Sequence, residues 1–239
     1  MTGAPLPAAL PQGPEKVRAV DRMFDAIAPR YDLLNRILTF GMDVRWRKLA
    51  VASLGLAPGA PVLDVGCGTG DLCRVLGADG YRAVGVDRSA GMLAGAKGHR
   101  SGDASLVRGD GTSLPVGDGS VDGVVSGFTL RNLVSLSSFL DECRRAVRPG
   151  GRIALLEVST PAHPALRAGH AAYFGHVVPL VGGLLSDRAA YSYLPKSVAY
   201  LPPDDELVAM VAAAGFPDAR RRALSVGIAQ LITGTRSER

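Results

Sequence analysis

The run Asp64-Val65-Gly66-Cys67-Gly68-Thr69-Gly70 is where residue types and spacing in this 239-residue chain most directly imply chemistry. Glycines placed there let the backbone turn tightly and leave room for a ligand to lie against the main chain. A dinucleotide fingerprint would need GxGxxG, yet the position three after Gly68 is Asp71. The spacing is GxGxG, with Asp64 two residues ahead of Gly66. That pattern suits a cofactor with no pyrophosphate to cradle, whose ammonium group seeks a carboxylate or carbonyl. Two further carboxylates extend the pattern. Asp87 can accept hydrogen bonds from both hydroxyls of a ribose, or cap a following helix, a task Ser89 can do alone. Asp110, within Arg108-Gly109-Asp110-Gly111, could accept from an adenine amino group, although Asp-Gly is also a common turn.

These residues need strands to carry them, and the apolar pattern supplies strands. Residues 61–65, 82–87, 105–108, 121–126 and 152–158 read as short buried strands, with helical stretches at 90–96 and 136–147. Alternation of this kind predicts βαβ units and a doubly wound, mostly parallel sheet of the α/β class. Asp64, Asp87 and Asp110 then fall near the carboxyl ends of successive strands, where open α/β sheets bind ligands. Ahead of the sheet, three helices are expected: one over Val17, Val20, Phe24 and Ile27, a second over Leu33 to Leu38, and a third capped by Asp43. Residues 160–203 break the rhythm and predict a helical insertion acting as a lid. Asp204 can cap a last helix ending at Gly215, and two final strands, about 219–224 and 228–233, suit a hairpin across Ser225-Val226-Gly227.

Composition narrows the alternatives. With 47% hydrophobic and 21% charged residues the chain is globular in type, and 239 residues suit one domain, here 17–239. Residues 1–16 hold Pro5, Pro7, Pro11 and Pro14 and read as a disordered arm rather than a signal peptide. The three cysteines, Cys67, Cys73 and Cys143, form no CxxC, which predicts a reducing, cytoplasmic setting with neither disulfide nor structural metal. Of the histidines, His170 and His176 share an apolar stretch without a nearby carboxylate and read as core or surface residues. The formal charge of +5 is modest; Arg220, Arg221 and Arg222 read as a solvated strand edge, and nucleic acid is disfavoured as a partner for want of an appended basic domain. The most apolar stretch, residues 171–185, is too short to span a bilayer.

The motifs together resemble class I S-adenosylmethionine methyltransferases, with a Rossmann-like seven-stranded sheet, and within them the ubiquinone/menaquinone C-methyltransferases. Tyr31-Asp32-Leu33-Leu34-Asn35 with Gly41 and Trp46 is similar to that family's opening signature. Leu130-Arg131-Asn132, the stretch 147–152 followed by Leu155-Leu156-Glu157-Val158-Ser159, and Pro179, Tyr191, Tyr193, Leu194 and Ser197 are similar to its later ones. Leu34, Thr39 and Asp43 depart from it, standing where the family has Met, Ser and His.

The resemblance implies S-adenosylmethionine as cofactor, contacted by Asp64, Gly66, Gly68, Thr69, Asp87, Asp110 and Gly111, with Ser126 or Gly127 on the methyl-donor side. It implies C-methylation of a quinol ring, demethylmenaquinol to menaquinol. Arg131 would stabilise the phenolate or hold a proton-accepting water, Asn132 would orient the ring oxygen, and Tyr31 would close over the site. Phe174, Val177, Val178, Leu180, Val181, Leu184 and Leu185 could hold a prenyl chain or rest on a membrane surface at its inner face. Methylation of a soluble aromatic product and a non-catalytic cofactor-binding role stay open as alternatives, as does a homodimer.

Overall fold

The computed structural model describes residues 12–98, 104–185, 193 and 196–238. Seven strands form one sheet: β1 Pro61–Val65, β2 Arg82–Asp87, β3 Ser105–Arg108, β4 Val121–Gly127, β5 Val147–Val158, β6 Arg220–Leu224 and β7 Ala229–Thr235. Their order is β3-β2-β1-β4-β5-β7-β6, with β7 antiparallel to both its neighbours and the other pairs parallel. The chain reverses strand order after β3, when β4 pairs on the far side of β1, and that switch opens the crevice at the carboxyl ends of β1 and β4.

Period-two alternation sends successive side chains to opposite faces, and both faces are buried. Leu63, Val124, Leu155 and Ile232 pack on one side with Phe139 and Leu140 of α6 (Leu136–Ala146) and Leu207 and Val211 of α9 (Asp204–Ala213). Val62, Val125, Ala154 and Leu231 pack on the other with Trp46 and Val51 of α3 (Met42–Ala52) and Leu72 and Leu76 of α4 (Asp71–Ala78). A third cluster joins Ile27 at the end of α1 (Gly13–Ile27), Leu34 of α2 (Tyr31–Leu38), Met92 of α5 (Ala90–Gly98) and Val178 of α8 (Val178–Leu185). The N-terminal helices are thereby tied to the insertion, which comprises α7 (Pro164–Ala172), one π-helical turn (Tyr173–Val177) and α8.

Several local expectations change. Residues 13–16, read as part of a disordered arm, open α1 instead: Pro14 is tolerated in a first turn, and buried Lys16 donates to Leu133 O at 2.6 Å. The remaining arm residues, 1–11, lie outside those described, as do His99, Tyr191 and Leu194. Asp43 does not cap α3. Gly41, at φ 73°, is the N-cap, and Asp43 sits inside the first turn, buried and paired with Arg47 one turn on. Asp204 likewise falls inside α9 behind Pro203 and pairs with Arg221 at 2.5 Å. Arg221 is therefore tied down, while Arg220 and Arg222 on the same edge strand are exposed. Strand β5 starts at Val147, five residues early, because Val147 pairs with Val121 before the register shifts to Gly123 and Arg152.

Candidate active site at the carboxyl edge of the sheet

The glycine loop runs from β1 into α4. Gly66 N and Cys67 N both donate to Val86 O, at 2.8 and 3.1 Å, which moors the loop to β2. Gly66 adopts φ 73°, and a Cβ there would come within 2.9 Å of Thr129 Cβ, so only glycine lets the loop close on the segment after β4. Asp87 ends β2 and straddles the loop: Oδ2 accepts from Gly68 N and Oδ1 from Ser89 N, each at 2.8 Å. Burial pushes its carboxyl above the ordinary range, against the pull of those amides. Ser89 caps α5 through Met92 N, at 3.0 Å, leaving Asp87 for the crevice.

Asp87, Gly66, Gly68, Gly111 and Gly127 line a cavity at the strand ends, with Asn132 and Leu133 opposite and Val20, Asp21 and Phe24 of α1 across its mouth. Other expected contacts stand behind this wall. Thr69 is buried under the loop and donates to Asp32 of α2. Asp110 is held by Thr112, whose N and Oγ1 both donate at 2.9 Å, and by an ion pair with Arg88. Burial alone would raise that carboxyl, but the Thr112 bonds and Arg88 outweigh it and hold it low. Arg88 also binds Asp21 at 3.1 Å, so Asp110 serves to fasten α1 over the cavity, and its neighbours Gly109 and Gly111 form the wall. Of Ser126 and Gly127, the glycine faces the cavity, and Ser126 Oγ donates inward to Val65 O at 2.6 Å.

Asp64 is fully buried beneath the loop. Cys73 Sγ donates to its Oδ2 at 3.3 Å, and Oδ1 has no partner among the described residues. Burial pushes this carboxyl up to about 7. Asp64 does not line the cavity, so it stands behind the loop and can act on a bound cation only through its charge. The Asp87 carboxylate and the bare main chain at Gly66, Gly68, Gly111 and Gly127 around this cavity fit S-adenosylmethionine.

A second, larger cavity of about 380 Å³ adjoins the first. Tyr31 and Phe128 line both. Its inner end carries Asp43, Trp46, Arg47 and Arg131, and its outer part is apolar, with Leu38, Phe40, Leu166, Phe174, Val178 and Val226. Arg131 makes a buried ion pair with Glu157 of β5, which also accepts from Val158 N at 2.8 Å and Arg131 N at 3.2 Å. Arg47 pairs with Asp43 and reaches Asp71 at 3.6 Å. Between the two cations lies Phe128, its ring centroid 5.4 Å from Arg47 Cζ and 6.0 Å from Arg131 Cζ. Phe128 holds φ 60°, a conformation that an aromatic residue adopts only when its surroundings insist. Burial pushes the Tyr31 phenol up, opposed by Arg47, Asn35 and Arg131.

Arg131 and Asn132, expected to work together on the acceptor, are divided between the cavities. Asn132 faces the first; its Nδ2 donates to Phe128 O at 3.2 Å, and its buried Oδ1 has no partner among the described residues. The short 3-10 turn Leu130–Asn132 points adjacent side chains in different directions, so each lines its own cavity. The lid residues divide as well. Phe174 and Val178 face the large cavity, Val181 packs in the third cluster, and Val177 and Leu180 are exposed. Sequence reasoning passed over Arg47, Phe128 and Glu157; the four-residue spacing of Asp43 and Arg47 on one helix face was the available signal for the first.

The sequence matches the ubiE/COQ5 methyltransferase family over residues 12–236. It is 43% identical over 230 residues to the demethylmenaquinone methyltransferase of Roseiflexus sp., covering 94% of this chain and 96% of that one. It is also 43% identical over 220 residues to the ubiquinone/menaquinone biosynthesis C-methyltransferase UbiE of Syntrophotalea carbinolica, with 90% and 93% covered. Among solved structures, a SAM-dependent methyltransferase from Thermotoga maritima superposes with a TM-score of 0.61 at 17% identity, over 92% of this chain and 99% of that one. Phosphoethanolamine N-methyltransferase 2 of Haemonchus contortus, solved with S-adenosyl-L-methionine, gives 0.59 at 14% identity, over 80% and 52%. These likenesses carry the fold, and with the sequence match over nearly the whole chain they establish that it belongs to the ubiE/COQ5 methyltransferase family.

Proposed function

We propose that this chain methylates a ring carbon of a prenylated hydroquinone, demethylmenaquinol being the acceptor to which its named relatives point. The observation that carries the reading is the pair of adjoining cavities, one polar at the strand ends and one largely apolar, sharing Tyr31 and Phe128 as wall. Asp87, Gly66, Gly68, Gly111 and Gly127 would hold the cofactor in the first, with Asp64 behind the loop toward its ammonium group. Bound there, S-adenosylmethionine supplies a methyl group carried on a positively charged sulfur.

The protein's part is to orient the acceptor and stabilise negative charge on its oxygen. Arg131 stays protonated, so it acts as a cation and not as a base. Its pairing with Glu157 fixes the guanidinium in place, and Arg47, held by Asp43, supplies a second fixed cation on the same wall. The apolar outer part would take the prenyl tail.

Phe40, Leu166 and Val226 line this cavity and are exposed, as are Leu33 and Ile37 on α2 and Leu180 on α8. No helix among the described residues is long and apolar enough to cross a membrane. A lipid acceptor would therefore be met at a membrane surface by this apolar rim. The test compares kcat/KM for demethylated naphthoquinols bearing zero, one and two prenyl units, alongside liposome co-sedimentation. At about 0.8 kcal/mol per buried methylene, even partial burial of one unit improves efficiency severalfold. Flat efficiency with no liposome association would favour a soluble aromatic acceptor, and no methyl transfer to any of them would sink the reading.

A further inference from the structure

We propose that His170 is the proton acceptor for the phenolic hydroxyl of the substrate, a role resting on the acceptor reading above. His170 lies on α7 and lines the large cavity, its ring 4.4 Å from that of Phe174 by centroids. Its Nε2 is buried and has no hydrogen-bond partner among the described residues. A buried nitrogen left without a partner costs free energy, which a hydroxyl donor entering the cavity would restore.

Among the described residues, every other ionisable group on that wall is committed or unsuited. Asp43 accepts from Thr39 Oγ1 at 2.9 Å through one oxygen and pairs with Arg47 through the other. Arg47 and Arg131 are cations with nothing to accept a proton. Tyr173 donates to Leu38 O at 2.9 Å, and the Tyr31 phenol is pushed above its ordinary value. Burial lowers the His170 imidazole below its usual 6.5, so the ring is neutral near pH 7 and offers a lone pair.

In the step assigned to it, the phenolic O–H breaks, the proton moves to Nε2, and the bonding pair stays on oxygen, inside the cavity whose lining also carries the Arg131 and Arg47 cations. Once the ring carbon has taken the methyl group, the methyl–sulfur bond breaking with its pair left on sulfur, that carbon's hydrogen leaves to water as a proton and its electron pair restores the aromatic ring. The imidazolium then returns its proton to the phenolate oxygen, and one proton in total is released.

The test uses the full-length protein and the variants His170→Gln, which keeps polarity without a usable base, and His170→Phe, which fills the ring's space. Expected for both is a roughly hundredfold or greater fall in turnover of demethylated naphthoquinol, with calorimetric affinity for S-adenosylmethionine unchanged. The acid limb of the wild-type kcat/KM profile should vanish in His170→Gln, and added imidazole should restore part of the rate. Independently of turnover, NMR of 13C-labelled histidine should show His170 titrating below 6.5 and shifting when a naphthol, which cannot be prenyl-anchored, is added. Variants within threefold of wild type, or a His170 signal unmoved by the naphthol, overturn the assignment. Wild-type protein inert toward the quinol, but with His170 shifted by the naphthol, overturns only the substrate reading.

Discussion

Arg131 and Glu157 form a buried ion pair that joins the turn after β4 to β5 beside the wall of the large cavity. Glu157 accepts from two backbone amides as well, so the carboxylate is fully engaged and the guanidinium has one position. Arg131→Lys keeps the charge but loses the planar fork. Turnover should fall about a hundredfold or more while cofactor affinity stays near normal, read from kcat and from calorimetry. Glu157→Gln strands a buried cation and should cost about 3–5 kcal/mol in denaturant unfolding. A lysine variant with full turnover at saturating acceptor would show that Arg131 is structural.

Asp87 spans the loop by accepting from Gly68 N and Ser89 N, and it also faces the smaller cavity. Asp87→Ala removes the proposed ribose acceptor. S-adenosylmethionine binding should weaken by about 2 kcal/mol, roughly thirtyfold, since hydrogen bonds to charged groups contribute about 1.5–3 kcal/mol. Unchanged affinity by calorimetry would remove the ribose assignment.

Asp64 carries a pH dependence. Its carboxyl is raised from 3.8 to about 7 by burial, so its contribution to stability is fully present below about pH 4 and is lost as pH climbs to about 7. At about 1.36 kcal/mol per pH unit the loss approaches roughly 4 kcal/mol. Asp64→Asn should flatten the stability of the cofactor-free protein across pH 4–7 and raise it at pH 8. The same substitution should weaken cofactor binding at pH 8, where the ionised carboxylate behind the loop would attract an ammonium group. Equal pH slopes for the two proteins in thermal unfolding would refute the first part.

Gly66→Ala combines a left-handed backbone with a collision against Thr129. The substitution should abolish measurable cofactor binding and lower stability by more than the ~1–2 kcal/mol that the backbone conformation alone costs. Thr129→Gly in the same chain should recover the steric part and leave the backbone part. A double variant no better than Gly66→Ala would show that Thr129 is not what excludes the side chain.

The strands that bear Asp64, Asp87 and Gly127 were legible because each is a short apolar run read through its own residues. β1 to β3 begin and end where the pattern placed them, whereas the point at which strand order reverses, between β3 and β4, is set by pairing across the sheet. The glycine loop was legible for the same reason, since tight turning is a local demand. What the sequence could not carry is which side of a wall a residue faces. Asp110 and Thr69 sit within the expected motifs, but Arg88 and Asp32, brought in by other segments, claim their oxygens. Arg131 and Asn132 are adjacent in the chain and face different cavities. Arg47, Phe128 and His170 stand far apart in sequence, on α3, after β4 and on α7, and they share one wall only because Trp46 packs near Phe128 and the lid closes against α2. Local periodicity sets the elements; non-local packing and pairing of charges decide which side chains are left to do chemistry.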